Sequence, residues 1–172
     1  VGYNQSGSSV TTCYNTGTVS GSDYVGGVVG ENSGSNGVVE NCHNAGKVSG
    51  RYVGGVVGSN SGTVENCYNT DSVSNGTTSG GVVGQNSGSG SVTGCYFLQQ
   101  NGVPAQGIGS GTGTATEKDD TAFHSGEVAY LLQSKQADGS GQVWGQTLGG
   151  EEDSLPTLVA LNPGAAQPVY KV

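Results

Sequence analysis

Four cysteines recur at one position of a repeating pattern: Cys13, Cys42, Cys67 and Cys95, spaced 29, 25 and 28 residues apart. If each holds the same place in units stacked about 4.8 Å apart, neighbouring Cα atoms fall inside the ~4.4–6.8 Å that a disulfide spans. The same spacing suits a column of small buried thiols, because unpaired cysteine is among the most buried residue types; this is the preferred reading. A metal centre is not indicated, since there is no Cys-x-x-Cys and His43 alone does not complete a zinc set. An aromatic-type residue follows each cysteine: Tyr14, His43, Tyr68 and Tyr96. With the cysteine pointing inward, strand alternation turns this row outward, where it could stack on sugar rings. The preferred reading is that the rings pack on one another or under a turn and cover the wall.

Acid–base and nucleophilic chemistry find little to work with. Solenoid lyases and hydrolases need clustered acids with Arg or Lys, or a carboxylate pair. Only Glu40 and Glu65 hold equivalent positions in neighbouring repeats, and they stack as like charges that suit solvent. Asp119-Asp120 reads as a solvated loop, and His124 has no evident nucleophile beside it. No serine stands out from the many. The glycines at 107, 109, 111 and 113 imitate a phosphate loop without the strand and helix that one requires. The repeats also lack the aspartates of a calcium-binding glycine-rich β-roll. The expectation is therefore a chain with no catalytic residues, no cofactor and no metal.

The elements that position these residues are limited by composition. The chain has 172 residues with 34 glycines, 32% apolar residues and only 10% charged ones. Ordinary domains are nearer half apolar and a quarter charged, so a thick core is excluded. The formal charge of −8, with five basic residues, argues against nucleic acid, which needs clustered Lys and Arg. No apolar run approaches the ~18 residues of a membrane-spanning helix. The first residues are polar and Gly-rich, so no signal peptide is expected among them. Because Val1-Gly2 repeats the close of Val29-Gly30, the chain reads as starting in mid-repeat, a piece of a longer array.

Self-similarity dominates the first hundred residues. Gly26-Gly27-Val28-Val29-Gly30 returns at 54–58 and at 80–84. Each copy is followed by Asn-Ser-Gly at Asn32, Asn60 and Asn86, then by a valine at Val39, Val64 and Val92, three residues before a cysteine. Length differences fall in Gly/Ser/Asn spots, which turns tolerate and strands do not. Units of 25–29 residues with short valine runs and no helical period cannot bury themselves alone, but stacked units bury a continuous valine interior. The pattern predicts an all-β, parallel β-solenoid of about four rungs, right-handed by the usual crossover rule. Units lie near 10–38, 39–63, 64–91 and 92–100, the last partial. Asn32, Asn60 and Asn86 would stack as an amide ladder, with a second column at Asn15, Asn44 and Asn69. Glycine is expected where the coil turns with positive φ or where backbones crowd.

These residues resemble the GLUG-motif repeat of bacterial surface and secreted proteins: glycine, an aliphatic residue, a hydrophobic residue, then glycine, here at 27–30, 55–58 and 81–84. The surrounding Cys-Tyr-Asn-x-Gly-x-Val-Ser-Gly is similar too, at 13–21, 42–50 and 67–75, although Asp71 replaces the glycine found at Gly17 and Gly46. The resemblance covers roughly residues 1–100. It implies a non-catalytic module of a bacterial cell-surface or secreted protein, an adhesin or stalk, facing a host or cell-surface glycan or protein. The family also occurs in IgA-type peptidases, where the module is usually not the catalytic part. A carbohydrate-binding or carbohydrate-active solenoid, or a subunit that associates end to end into a fibre, are the alternatives.

After Leu98 the repeat decays. Residues 101–120 read as a Gly/Thr-rich connection, and 121–172 as a C-terminal cap for the exposed last rung. The helix signal lies at 125–134, with Ser125 as N-cap, Glu127 in the first turn, and Val128, Leu131 and Leu132 on one face against Phe123. Trp144 and the segment Leu155-Pro156-Thr157-Leu158 supply further bulk.

Overall fold

Two-residue to four-residue strands are all that the spacing of valines and glycines permits, and the coil is built from five of them per turn. In the computed structural model, which describes residues 1–74, 76–136, 141–148 and 154–161, the first coil runs β1 (Tyr3–Asn4), β2 (Ser9–Thr11), β3 (Tyr14–Asn15), β4 (Val19–Ser20) and β5 (Tyr24–Gly26). The second repeats it as β6 (Val29–Asn32), β7 (Val38–Glu40), β8 (His43–Asn44), β9 (Val48–Ser49) and β10 (Tyr52–Gly54). The third is β11 (Val57–Asn60), β12 (Thr63–Glu65), β13 (Tyr68–Asn69), β14 (Val73–Ser74) and β15 (Thr78–Gly80). The fourth begins with β16 (Val83–Asn86), β17 (Ser91–Thr93) and β18 (Cys95–Leu98). Each strand pairs in parallel register with its counterpart one coil away, Val29 with Val57 and Val57 with Val83, for example. The chain is a parallel β-solenoid of about four turns.

Residues 101–120, read as a connection, carry two more strands. β19 (Ile108–Ser110) continues the β1 ladder by pairing Ile108 with Val83, and β20 (Ala115–Lys118) joins the edge of the β3 ladder beside β18. Coil-length differences sit in turns, notably between β6 and β7, β11 and β12, and β16 and β17 (residues 33–37, 61–62 and 87–90). The variable spot at Asn75 and the tail 162–172 fall outside the described residues.

Two apolar cores run along the axis. One holds the paired valines of each Gly-Gly-Val-Val-Gly together with Val39, Val64, Val92 and three cysteines. The other holds Val25, Val48, Val53 and Val73. Between them the β5–β10–β15 sheet lies backbone against backbone on the β6–β11–β16 sheet. A Cβ on Gly58 would stand 2.5 Å from the Val25 nitrogen and 2.6 Å from the Gly30 oxygen, and one on Gly54 would stand 2.0 Å from the Val57 oxygen. None of these glycines has a positive φ. They are required by crowding alone, and the positive-φ part of the expectation applies to turn glycines such as Gly34 and Gly88.

Polar ladders fix the register. The Asn4 amide donates to Asn32 Oδ1 (2.8 Å), Asn32 to Asn60 (2.7 Å) and Asn60 to Asn86 (2.7 Å). A second column runs from Asn15 to Asn44 to Asn69, both links 2.8 Å. It ends where Phe97 pairs with Asn69. A one-residue slip would break both columns and turn valines out of the cores.

The chain divides into two compact units, Val1–Glu117 and Lys118–Val172. The second holds α1 (Asp120–His124) and α2 (Glu127–Gln133), and a short antiparallel pair, β21 (Trp144–Gly145) with β22 (Thr157–Leu158). The expected helix is α2, but its N-cap is Gly126, and Ser125 closes α1 instead. Asp119, read as loop, caps α1: its carboxylate accepts from the Ala122 N–H at 2.8 Å. The Gln133 side chain accepts from the Val143 and Trp144 N–H groups and so fastens β21 to α2. Among the described residues no helix is long and apolar enough to cross a membrane.

Candidate functional site

The corner between the β2 ladder and the β3 ladder carries the chemistry-bearing residues. The chain bends there through a left-handed residue in every coil: Thr12 (φ 55°), Asn41 (54°), Asn66 (52°) and Gly94 (61°). Asn and Gly adopt this conformation readily, while β-branched Thr does not. The bend turns the next residue, the cysteine, into the core. Cys42, Cys67 and Cys95 are fully buried and Cys13 is half-buried. All four are free thiols, and each S–H donates to the carbonyl two residues back: Thr11 (3.2 Å), Glu40 (3.2 Å), Glu65 (3.1 Å) and Thr93 (3.2 Å). A hydrogen bond from Cys67, helped by Cys13, holds the Cys42 thiol below its ordinary range despite burial. Burial pushes Cys67 well up, and burial followed by the neighbouring Cys42 raises Cys13.

The first three residues after the cysteines, Tyr14, His43 and Tyr68, form a stacked row, and the row is not exposed beyond Tyr14. Tyr14 and His43 stack with centroids 5.4 Å apart, and His43 and Tyr68 at 4.8 Å with ring planes 4° apart. Tyr14 is 53% exposed, whereas His43, Tyr68 and Tyr96 are buried, at 9%, 1% and 7%. The outward side of the strand is thus not solvent beyond the first coil. Three of the four residues offered as a sugar platform are buried, and His43 lies stacked between Tyr14 and Tyr68. Burial lowers the pKa of His43 to about 4, so the ring is neutral near pH 7, and it raises that of the Tyr68 phenol.

Elsewhere the carboxylates stay dispersed. Glu40 and Glu65 pair across one ladder position, and burial, then the Glu40 charge, raises the pKa of Glu65. His124 lies 3.3 Å from Asp120, and Lys118 pairs with Glu127. Among the described residues no group of three or more metal-ligating side chains converges.

One aromatic cluster escaped the sequence reading. Tyr24 and Tyr52 sit at equivalent points of β5 and β10, two residues before the first glycine of each Gly-Gly-Val-Val-Gly, and that shared offset was the available signal. Their centroids are 5.2 Å apart, and the Arg51 guanidinium lies 5.0 Å over the Tyr52 ring, within 3.8 Å of Asp23. Tyr24 is 40% exposed. Such a patch can bind through ring faces and hydrogen bonds.

Comparison with known proteins gives one match. The family model described as the GLUG motif matches residues 21–49 and 49–74. These two adjacent repeats span the second coil with parts of the first and third. No curated protein matches the chain, and no solved structure does.

Proposed function

We propose that this chain, a GLUG repeat module, serves as a non-catalytic spacer or adhesin scaffold in an extracellular protein of a bacterial surface. The observation that supports this best is the pair of amide columns running from coil to coil without a gap. Asn32, Asn60 and Asn44 are each held by an Asn above and below, so the coil's cross-section repeats as a stiff rod. A surface low in charge, with many exposed serines, suits a rod that displays other groups. Two experiments test the proposal together. Antibodies raised against the module should label intact cells, and external protease should remove the label. The purified chain should leave a panel of polysaccharides undegraded. Label that appears only after permeabilisation, or release of reducing ends, would overturn it.

The Tyr24–Tyr52–Arg51 cluster favours a second reading in which the rod itself recognises a glycan. A glycan array probed with the chain and with Tyr24→Ala and Tyr52→Ala would show binding lost in both variants. Sedimentation at several concentrations separates either role from end-to-end association into a fibre.

A further inference from the structure

We propose that Asn101 is a self-modification site, an asparagine whose side-chain amide is lost as ammonia to leave an aspartate or isoaspartate in the column of Asp71. The proposal stands apart from the functional reading above. Two Asn-Gly pairs lie wholly within the described residues, Asn36-Gly37 and Asn101-Gly102. Ring closure onto the following nitrogen meets least hindrance at such a pair, because glycine has no Cβ. The fold treats the two pairs differently. Asn101 and Gly102 are both exposed, in a turn closed by the Val103 N–H on the Gln100 carbonyl at 3.1 Å. Gly102 has φ 89°, as a type II turn requires at that place. Among the described residues the peptide unit joining the two is bonded at neither end: the Gly102 N–H meets no acceptor, and the Asn101 carbonyl meets no donor. That unit can swing without breaking a hydrogen bond. At the other pair Gly37 is buried, its N–H bonds the Gly34 carbonyl at 3.1 Å, and its carbonyl accepts from the Thr63 N–H at 2.8 Å.

In the reaction the Gly102 nitrogen attacks Asn101 Cγ. A bond forms between them, the Cγ–Nδ2 bond breaks, and Nδ2 leaves as ammonia with the proton that the Gly102 nitrogen gives up. Water then opens the cyclic imide. Cleavage of the new N–Cγ bond gives aspartate, and cleavage at the main-chain carbonyl gives isoaspartate, with the backbone routed through Cβ and Cγ. One water is consumed, one ammonia is released, and nothing is oxidised or reduced. Register places the product. The Val73 N–H bonds the Gly102 carbonyl at 2.8 Å, as the Val48 N–H bonds the Ser72 carbonyl at 2.9 Å where Val48 pairs with Val73. Gly102 therefore stands over Ser72, where an added Cβ would lie 3.1 Å from the Ser72 Cβ, and Asn101 stands over Asp71. The column reads Gly17, Gly46, Asp71, Asn101. As an amide, Asn101 adds no charge to it. After the reaction two carboxylates occupy neighbouring coils, and like charges directly opposite destabilise a ladder. The conversion thus loosens the fourth coil as the chain ages.

The test incubates the full, folded chain in mildly alkaline buffer and locates aspartate and isoaspartate by peptide mapping. Conversion at Asn101 should run about tenfold or more faster than at Asn36, the factor in rate that opening one hydrogen bond costs. In urea the two should convert at similar rates, which separates the contribution of the fold from that of the shared dipeptide. Equal rates in the folded chain, or faster conversion at Asn36, would overturn the proposal. Asn101→Asp measures the consequence by urea titration. It should lower the folded-to-unfolded ratio about threefold in the unaltered chain and leave it nearly unchanged beside Asp71→Asn. The same loss in both backgrounds refutes the opposition of the two acids.

Discussion

Acidification should loosen the solenoid through one buried ring. His43 lies between Tyr14 and Tyr68 and is 9% exposed. Burial brings its pKa from 6.5 in the unfolded chain to about 4 in the folded one. At about 1.4 kcal/mol per pH unit, the difference amounts to about 3 kcal/mol. Above pH 6.5 the ring is neutral in both states and this stability is complete. Between 6.5 and 4 the unfolded chain takes up a proton that the folded chain refuses, so stability falls as pH falls. Below 4 both states are charged and the loss stops. Glu65 opposes this further down the scale: its folded pKa is raised, so it binds its proton more readily folded than unfolded. The contrast with His43→Tyr isolates the histidine, since Tyr stands at the same place in the other three coils. Urea unfolding at pH 7 and at pH 4.5 should show the native chain losing about 2 to 3 kcal/mol more than the variant. Equal losses in both chains, or an NMR titration of the His43 ring centred near 6.5, would refute the reasoning.

Other substitutions probe the frame. Gly58→Ala places a methyl group against the Val25 and Gly30 backbones and should leave no folded protein by circular dichroism. Gly2→Ala, with nothing within 4 Å of the added carbon, should fold unchanged. Asn60→Ala removes the donor to Asn86 and the acceptor for Asn32 and the Gly62 N–H. With one to three kcal/mol for each buried group left unpaired, it should cost roughly 3 kcal/mol or more in denaturant titration. Thr12→Asn relieves a β-branched residue at φ 55° and should raise the thermal midpoint, by about 1 kcal/mol in stability.

What could be read from the sequence depended on whether a column repeats the same letter. In a parallel coil, identical residues stack on identical residues, so the cysteine, valine and asparagine columns were visible as periods before any coordinate was known. The left-handed corner was not visible, because its column reads Thr12, Asn41, Asn66, Gly94, and backbone conformation, not side-chain identity, is what the position selects. The last turn hid itself for a related reason. Ile108 pairs with Val83 and Ala115 packs on the valine core, yet neither stretch keeps the repeat's letters. The α1 cap at Asp119 left a usable signal, an acid three residues before a buried alanine, that the neighbouring acid disguised as a solvated run.

The aromatic row shows where sequence logic stops on physical grounds. Alternation fixes that Tyr14, His43, Tyr68 and Tyr96 lie on the opposite side of the strand from the cysteines. It does not fix whether that side meets water, because burial is a property of everything else that packs there. The histidine held a clue. A row of exposed sugar-binding rings gains nothing from one imidazole of similar shape, whereas a packed stack accepts any flat ring that stays neutral. His43, with its pKa moved to about 4, is such a ring at neutral pH. The pair that does keep a solvent-facing ring, Tyr24 and Tyr52, sits where the third coil has Thr78. A column that changes letter in its third coil suits a surface position better than a packed one, where a missing ring would leave a void.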